Sequence, residues 1–145
     1  MLKAGDKAPD FEVLDHTGKK VSSRDLKGKR YVLWFYPMAD TPGCTKEGCG
    51  FRDKTPDYQK KGVEILGISF DKPEANKAFV EKFKFPFRLL SDTDKKVGMA
   101  FGAADDASAK TAKRLTFVVG PDGKIEQAID TKDPAGQADA LLKMI

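Results

Sequence analysis

Six consecutive residues, Tyr31-Val32-Leu33-Trp34-Phe35-Tyr36, run without a polar break and are rich in aromatic and branched side chains. Such a run predicts a strand buried on both faces in the middle of a sheet, so the chain must cover that sheet from two sides. Val63-Glu64-Ile65-Leu66-Gly67-Ile68-Ser69-Phe70 reads as a second buried strand. Between the two, Pro37 stops the first strand and a polar loop leads to Thr41-Pro42-Gly43-Cys44. Thr41 stands at an N-cap position and Pro42 at the favoured first helical position, so a helix is predicted to begin near Cys44. A second helix is predicted over about Pro73 to Phe83, with Ala75, Ala78, Phe79 and Phe83 on one face.

On either side of this β-α-β-α core the pattern is simpler. Phe11-Glu12-Val13-Leu14 and Lys20-Val21-Ser22 alternate around Asp15-His16-Thr17-Gly18, which predicts an N-terminal hairpin. Phe87 to Leu90 reads as a short strand, Lys95 to Phe101 as a short helix, and Gly102 to Lys113 as a polar, alanine-rich loop. Leu115 to Val119 and Ile125 to Ile129 flank the turn Gly120-Pro121-Asp122-Gly123, and Asp133 or Thr131 then caps a last helix through Leu142. This order is the thioredoxin-like α/β plan with an N-terminal β-hairpin extension and a middle insertion. A chain of 145 residues fits one such domain, spanning 1–145, and buries about two thirds of its surface without disulfide or metal staples.

The net charge of +4 invites a nucleic-acid reading. However, the 26 basic residues are interleaved with 22 acidic ones, as in Asp53-Lys54, Asp71-Lys72 and Asp94-Lys95, and no basic stripe tracks a phosphate backbone. No apolar run approaches the roughly 18 residues of a membrane span, and the opening Met1-Leu2-Lys3-Ala4-Gly5-Asp6 lacks the apolar stretch of a secretory signal. Cytoplasmic location is the default expectation, although a processed chain would read the same. Metal binding is not expected either: the single histidine, His16, is predicted to sit in a surface turn, and two cysteines alone do not close a zinc site.

The two cysteines, Cys44 and Cys49, are then read as catalytic. A thiol in the first turn of a helix faces unpaired backbone N–H groups and the positive end of the helix dipole, and both favour thiolate. The polar collar of Thr41, Pro42, Gly43, Thr45, Lys46 and Glu47 argues against Cys44 as an inert core residue. Five residues on, Cys49 would lie about 8.6 Å away between Cα atoms and be turned by about 140° in an intact helix. A disulfide needs Cα atoms within about 7 Å, so bridging requires the helix to unwind. Gly48 and Gly50 flank Cys49 and each weakens the helix by about 1 kcal/mol relative to alanine; alternatively, they allow close packing.

The segment Phe35-Tyr36-Pro37-Met38-Ala39-Asp40-Thr41-Pro42-Gly43-Cys44-Thr45-Lys46-Glu47-Gly48-Cys49-Gly50-Phe51-Arg52-Asp53 resembles the active-site segment of Q-type (bacterioferritin-comigratory) peroxiredoxins, including their Pro-x-x-x-Thr-x-x-Cys pattern. The likeness extends to Gly5-Asp6-Lys7-Ala8-Pro9-Asp10-Phe11, Gly67-Ile68-Ser69 and Arg114-Leu115-Thr116-Phe117. It implies a thiol peroxidase in which Cys44 is the peroxidatic cysteine, Thr41 and Arg114 hydrogen-bond and polarise the peroxide, and Pro37 shields the sulfur. A guanidinium there would also stabilise the thiolate and the charge moving onto the leaving oxygen. Hydrogen peroxide or an organic hydroperoxide would oxidise Cys44 to a sulfenic acid. Cys49 would resolve it as an intramolecular disulfide, and thioredoxin or a similar dithiol would reduce that disulfide.

The implied cycle needs no bound cofactor and no dimer, so a monomer is expected. Met38, Ala39 and the loop from Gly102 to Lys113 depart from the family pattern and leave substrate preference and the docking surface open. Two alternatives remain at this point: a thioredoxin-like disulfide oxidoreductase, whose hallmark Cys-x-x-Cys is absent, and a redox-regulated binding protein.

Overall fold

In a computed structural model describing residues 1–145, the run at 31–36 is the inner strand of one seven-stranded sheet. The strands are β1 (Glu12–Asp15), β2 (Lys20–Ser22), β3 (Arg30–Phe35), β4 (Val63–Ser69), β5 (Arg88–Ser91), β6 (Leu115–Val119) and β7 (Ile125–Asp130). Their order is β2-β1-β5-β4-β3-β6-β7. β3, β4 and β5 are parallel, β6 runs antiparallel to β3, and the N-terminal hairpin extends the sheet through β1 beside β5. The thioredoxin-like expectation therefore holds, hairpin extension included.

The helices are α1 (Pro42–Lys60), α2 (Pro73–Phe83), α3 (Lys96–Phe101) and α4 (Gln137–Leu142), with a single 3₁₀ turn at Ser23–Leu26. Alternation along β3 sorts the core into two halves, because successive side chains on a strand point to opposite faces. Tyr31, Leu33 and Phe35 join Val97 and Phe101 of α3 on one side. Val32, Trp34 and Tyr36 join Phe51 and Tyr58 of α1, Phe79 of α2 and Leu141 of α4 on the other. Every residue of β3 beyond Arg30 is at most 4% exposed, as a strand with both faces covered requires.

Two helix assignments differ from expectation. On α2 the buried positions are Asn76 and Phe79, with Val80 and Phe83 half-buried, while Ala75 and Ala78 face solvent. A buried amide rather than an alanine defines that face. The last helix begins only at Gln137 and has no side-chain cap: Asp133 Oδ1 accepts from the Gly136 N–H, and Thr131 instead bonds Thr116 inside the sheet. His16 does lie at the β1–β2 turn, but it is half-buried, with Nδ1 accepting from the Leu89 N–H. No helix is long and apolar enough to cross a membrane.

Candidate active site

β3 delivers the chain to the carboxyl edge of its parallel strands, where open α/β sheets gather their reactive groups. Pro37 ends the strand, half-buried, and residues 38–41 turn the chain into α1. Thr41 is the N-cap by position, but its hydroxyl does not cap the helix; Oγ1 donates to the Met38 carbonyl at 2.8 Å instead. Cys44 follows in the first turn, and both cysteines are free thiols within one unbroken helix.

Cys44 is fully buried, although its sequence neighbours suggested an open polar setting. Burial does not make it inert, because Arg114, at the residue preceding β6, reaches across and donates from Nη2 to Cys44 Sγ at 3.4 Å. The guanidinium lies flat against the helix start: a Cβ at Gly43 would fall 2.9 Å from Nη2, so only glycine admits this approach. Sequence placed Thr41, Cys44 and Arg114 around one site, and the structure brings the latter two into contact.

Sequence reading treated Glu47 only as part of a polar collar. It is completely buried, and Oε1 accepts from Arg114 Nη1 at 3.1 Å. Its other oxygen receives Thr116 Oγ1 at 3.4 Å, and Thr116 in turn shares a 2.8 Å hydrogen bond with Thr131. Burial pushes the Glu47 carboxyl up to about 7, against the opposing pull of Arg114 and Thr116. For Arg114, burial works against the charge, but the neighbouring Cys44 sulfur and Glu47 hold the guanidinium above its ordinary value. Both values are raised, which disfavours the charged carboxylate and favours the charged guanidinium. The guanidinium, 19% exposed and beside Cys44 and Glu47, keeps its charge, so Glu47 is the group that changes ionisation near neutrality. A signal for Glu47 did exist: it lies at i+3 from Cys44 and i−4 from Phe51, on the stripe of α1 that faces the core.

The glycines beside Cys49 bear out the close-packing alternative. A Cβ at Gly48 would fall 2.5 Å from the Phe85 ring, and one at Gly50 would fall 3.3 Å from the Ala135 carbonyl oxygen. Cys49 itself is half-buried at the edge of the same apolar cluster as Cys44. A cleft of about 430 Å³ lined by Lys29, Thr55, Gln59, Glu64 and Arg88 lies at the opposite, amino ends of the parallel strands, and neither cysteine lines it.

A thioredoxin-like sheet that presents a helix-start thiol against an arginine defines a thiol-dependent redox enzyme. The AhpC/TSA family model matches residues 4–128. The chain is 42% identical to peroxiredoxin Bcp of Escherichia coli (strain K12), over 99% of this chain and 96% of that protein. Its structure superposes on the crystal structure of peroxidoxin BcpB from Mycobacterium tuberculosis with TM-score 0.92 at 36% identity, covering 99% and 96% of the two chains. The bacterioferritin comigratory protein of Xanthomonas campestris gives TM-score 0.86 at 32% identity, covering 92% of this chain and 88% of that one. The chain belongs to the AhpC/TSA family, within its Bcp and peroxiredoxin Q branch, and is a thiol peroxidase. That membership decides against the disulfide-reductase alternative.

Proposed function

We propose that Cys44 is the nucleophile, that Cys49 resolves it, and that Arg114, Thr41 and Pro37 shape the peroxide site. The observation that carries this is the 3.4 Å hydrogen bond from Arg114 Nη2 to Cys44 Sγ in the first turn of α1. The helix N–H groups and the guanidinium are hydrogen-bond donors gathered at the sulfur there. Because the Thr41 hydroxyl already donates to Met38, its lone pairs are free to accept the hydrogen of an incoming hydroperoxide. The thiolate attacks the terminal oxygen, the O–O bond breaks, and the departing oxygen leaves as water or alcohol after taking a proton. Arg114 stabilises the negative charge shifting onto it. Pro37 closes the strand side of the pocket.

The Cys49 thiol then displaces hydroxide from the Cys44 sulfenic acid, water leaves, and an intramolecular disulfide forms; thioredoxin or a related dithiol returns both cysteines to thiols by exchange. Structures of a trapped intermediate and ligand complex of the Xanthomonas campestris protein bear on its alkyl peroxide reduction. That supports organic hydroperoxides beside hydrogen peroxide as substrates here. With both cysteines in one helix the cycle closes within a monomer, and a reducing compartment such as the cytoplasm suits its recycling.

Stopped-flow mixing of reduced protein with limiting hydrogen peroxide, followed through the buried Trp34, tests both roles. Cys44→Ser should abolish turnover, while Cys49→Ser should consume about one equivalent and stall as the sulfenic acid. Sustained turnover of Cys49→Ser with thioredoxin would show that resolution does not need Cys49.

A further inference from the structure

Behind the end of β3 lies a set of buried polar side chains for which the peroxide chemistry has no use. Tyr36, Ser69 and Asn76 are each fully buried, and Ser91 is nearly so. The Tyr36 hydroxyl donates to Asn76 Oδ1 at 2.5 Å, and Asn76 Nδ2 donates to Ser91 Oγ at 2.9 Å and to the Leu90 carbonyl at 3.4 Å. Ser69 Oγ lies 3.4 Å from Asn76 Oδ1 but 2.7 Å from Asp71 Oδ2, and it accepts from the Asp71 N–H at 3.2 Å. A hydroxyl has a single proton to give, and the shorter contact assigns it to Asp71. Tyr36, Asn76 and Ser91 thus tie β3, α2 and β5 together, and Ser69 on β4, buried against Asn76 without sharing a proton with it, holds Asp71; buried polar groups satisfied in this way rigidify rather than destabilise.

The Ser69–Asp71 pair reaches the loop before α1. The same Asp71 Oδ2 accepts the backbone N–H of Ala39 at 2.8 Å, in the middle of the loop that joins Pro37 to Thr41. That loop is otherwise tied down weakly. Asp40 sits at φ 61°, a left-handed conformation that a non-glycine residue must be held in, and its ion pair with Lys82 joins two exposed side chains. The Ala39 bond is the firmer restraint, and it lies two residues before Thr41 and five before Cys44.

We propose that Asp71 is a positioning residue for peroxide reduction: it couples the fully buried Ser69 at the end of β4 to Ala39 and so fixes the Thr41 hydroxyl relative to the Cys44 sulfur. The inference rests on Cys44 being the nucleophile. Asp71 touches neither thiol nor peroxide in this role. Its effect is on the alignment of the acceptor oxygen with the O–O bond, and misplacement of a reacting group by about 1 Å costs on the order of 100-fold.

The test uses the Cys49→Ser background, where one thiol reacts, and compares two rates: oxidation by hydrogen peroxide and alkylation by iodoacetamide. Alkylation reads thiolate and access but needs no Thr41. Asp71→Ala should lower the peroxide rate by roughly 10- to 100-fold while leaving the alkylation rate and its pH profile in place. Asp71→Asn keeps an oxygen to accept the Ala39 N–H and should recover most of the loss. Should Asp71→Ala fail to fold, Ser69→Ala removes the other donor to Oδ2 and should show the same split in weaker form. An unchanged peroxide rate, or a parallel fall in both rates, overturns the assignment. If the parent protein itself reacts with peroxide no faster than free cysteine, it is the nucleophile reading that fails, whatever Asp71 does.

Discussion

The two halves of α1 lie against the same face of the sheet but are held by different chemistry. From Phe51 onward the helix is anchored by side chains: Phe51 stacks on Trp34 with centroids 5.4 Å apart, and Tyr58 donates its hydroxyl to the Ala138 carbonyl. Before Phe51 the buried positions are Cys44, Glu47 and Gly48, and the first two are held through Arg114. Backbone regularity does not separate the halves, since Pro56 interrupts the ladder within the anchored one. The difference lies in what each side chain grips. On the proposed resolution of Cys44 by Cys49, the amino half is the part expected to open, with Phe51 as the expected hinge.

The largest effect expected from this contrast is on Phe51. Phe51→Ala should lower the unfolding free energy by about 3–5 kcal/mol, because a fully buried ring leaves a cavity beside Trp34. Thr45→Ala, at a half-buried position in the amino half, should stay within about 0.5 kcal/mol. Urea denaturation of both variants checks the pair. Equal losses would mean that the two halves are anchored alike.

A smaller effect concerns the tie that does hold the amino half. Glu47 is raised from 4.5 to about 7 by burial, so between those pH values the folded protein holds a proton that the unfolded chain has lost. Its contribution is therefore fully present below about 4.5 and is lost as pH rises through about 7. Asp92, raised to about 6 chiefly by burial, adds a slope of the same sign, so the informative quantity is the difference between variants. Glu47→Gln should remove about 1–3 kcal/mol of the stability change between pH 5 and pH 8, read from denaturation midpoints. An identical slope in both proteins would place the Glu47 titration elsewhere.

The same contrast explains what could be read in advance. The strands were legible because alternation, unbroken apolar runs and turn residues are local, and the run at 31–36 announced a strand covered on both faces. Thr41 and Pro42 likewise carried the helix start, and with it the place of Cys44 in the first turn. Missing were residues whose role depends on distant partners. Glu47 and Asn76 look like surface side chains until Arg114, 67 residues from Glu47, and Tyr36, 40 residues from Asn76, supply their hydrogen bonds. Ala75 and Ala78 were placed on the buried face of α2 by hydropathy alone, and the buried amide of Asn76 rotated that face away from them. The depth of Cys44 was misjudged for the same reason, since polar neighbours in sequence are not a polar surrounding in space.

The smallest effect bears on where the unwinding ends. Gly50 lies just before the Phe51 anchor, and a Cβ there would sit 3.3 Å from the Ala135 carbonyl oxygen and 3.6 Å from Ala138 Cβ, tight but with room for a small adjustment. Gly48 offers no such room against Phe85, which makes Gly50 the better probe. Alanine at position 50 favours the helix by up to about 1 kcal/mol, less whatever that adjustment costs. If residue 50 must leave the helix for Cys49 to reach Cys44, that preference opposes disulfide formation alone. Gly50→Ala should then slow the second phase of the Trp34 signal by up to about 5-fold, the factor that 1 kcal/mol represents, while the first, peroxide-dependent phase keeps its rate. A second phase of unchanged rate would move the hinge to the amino side of Gly50, between Cys44 and Cys49.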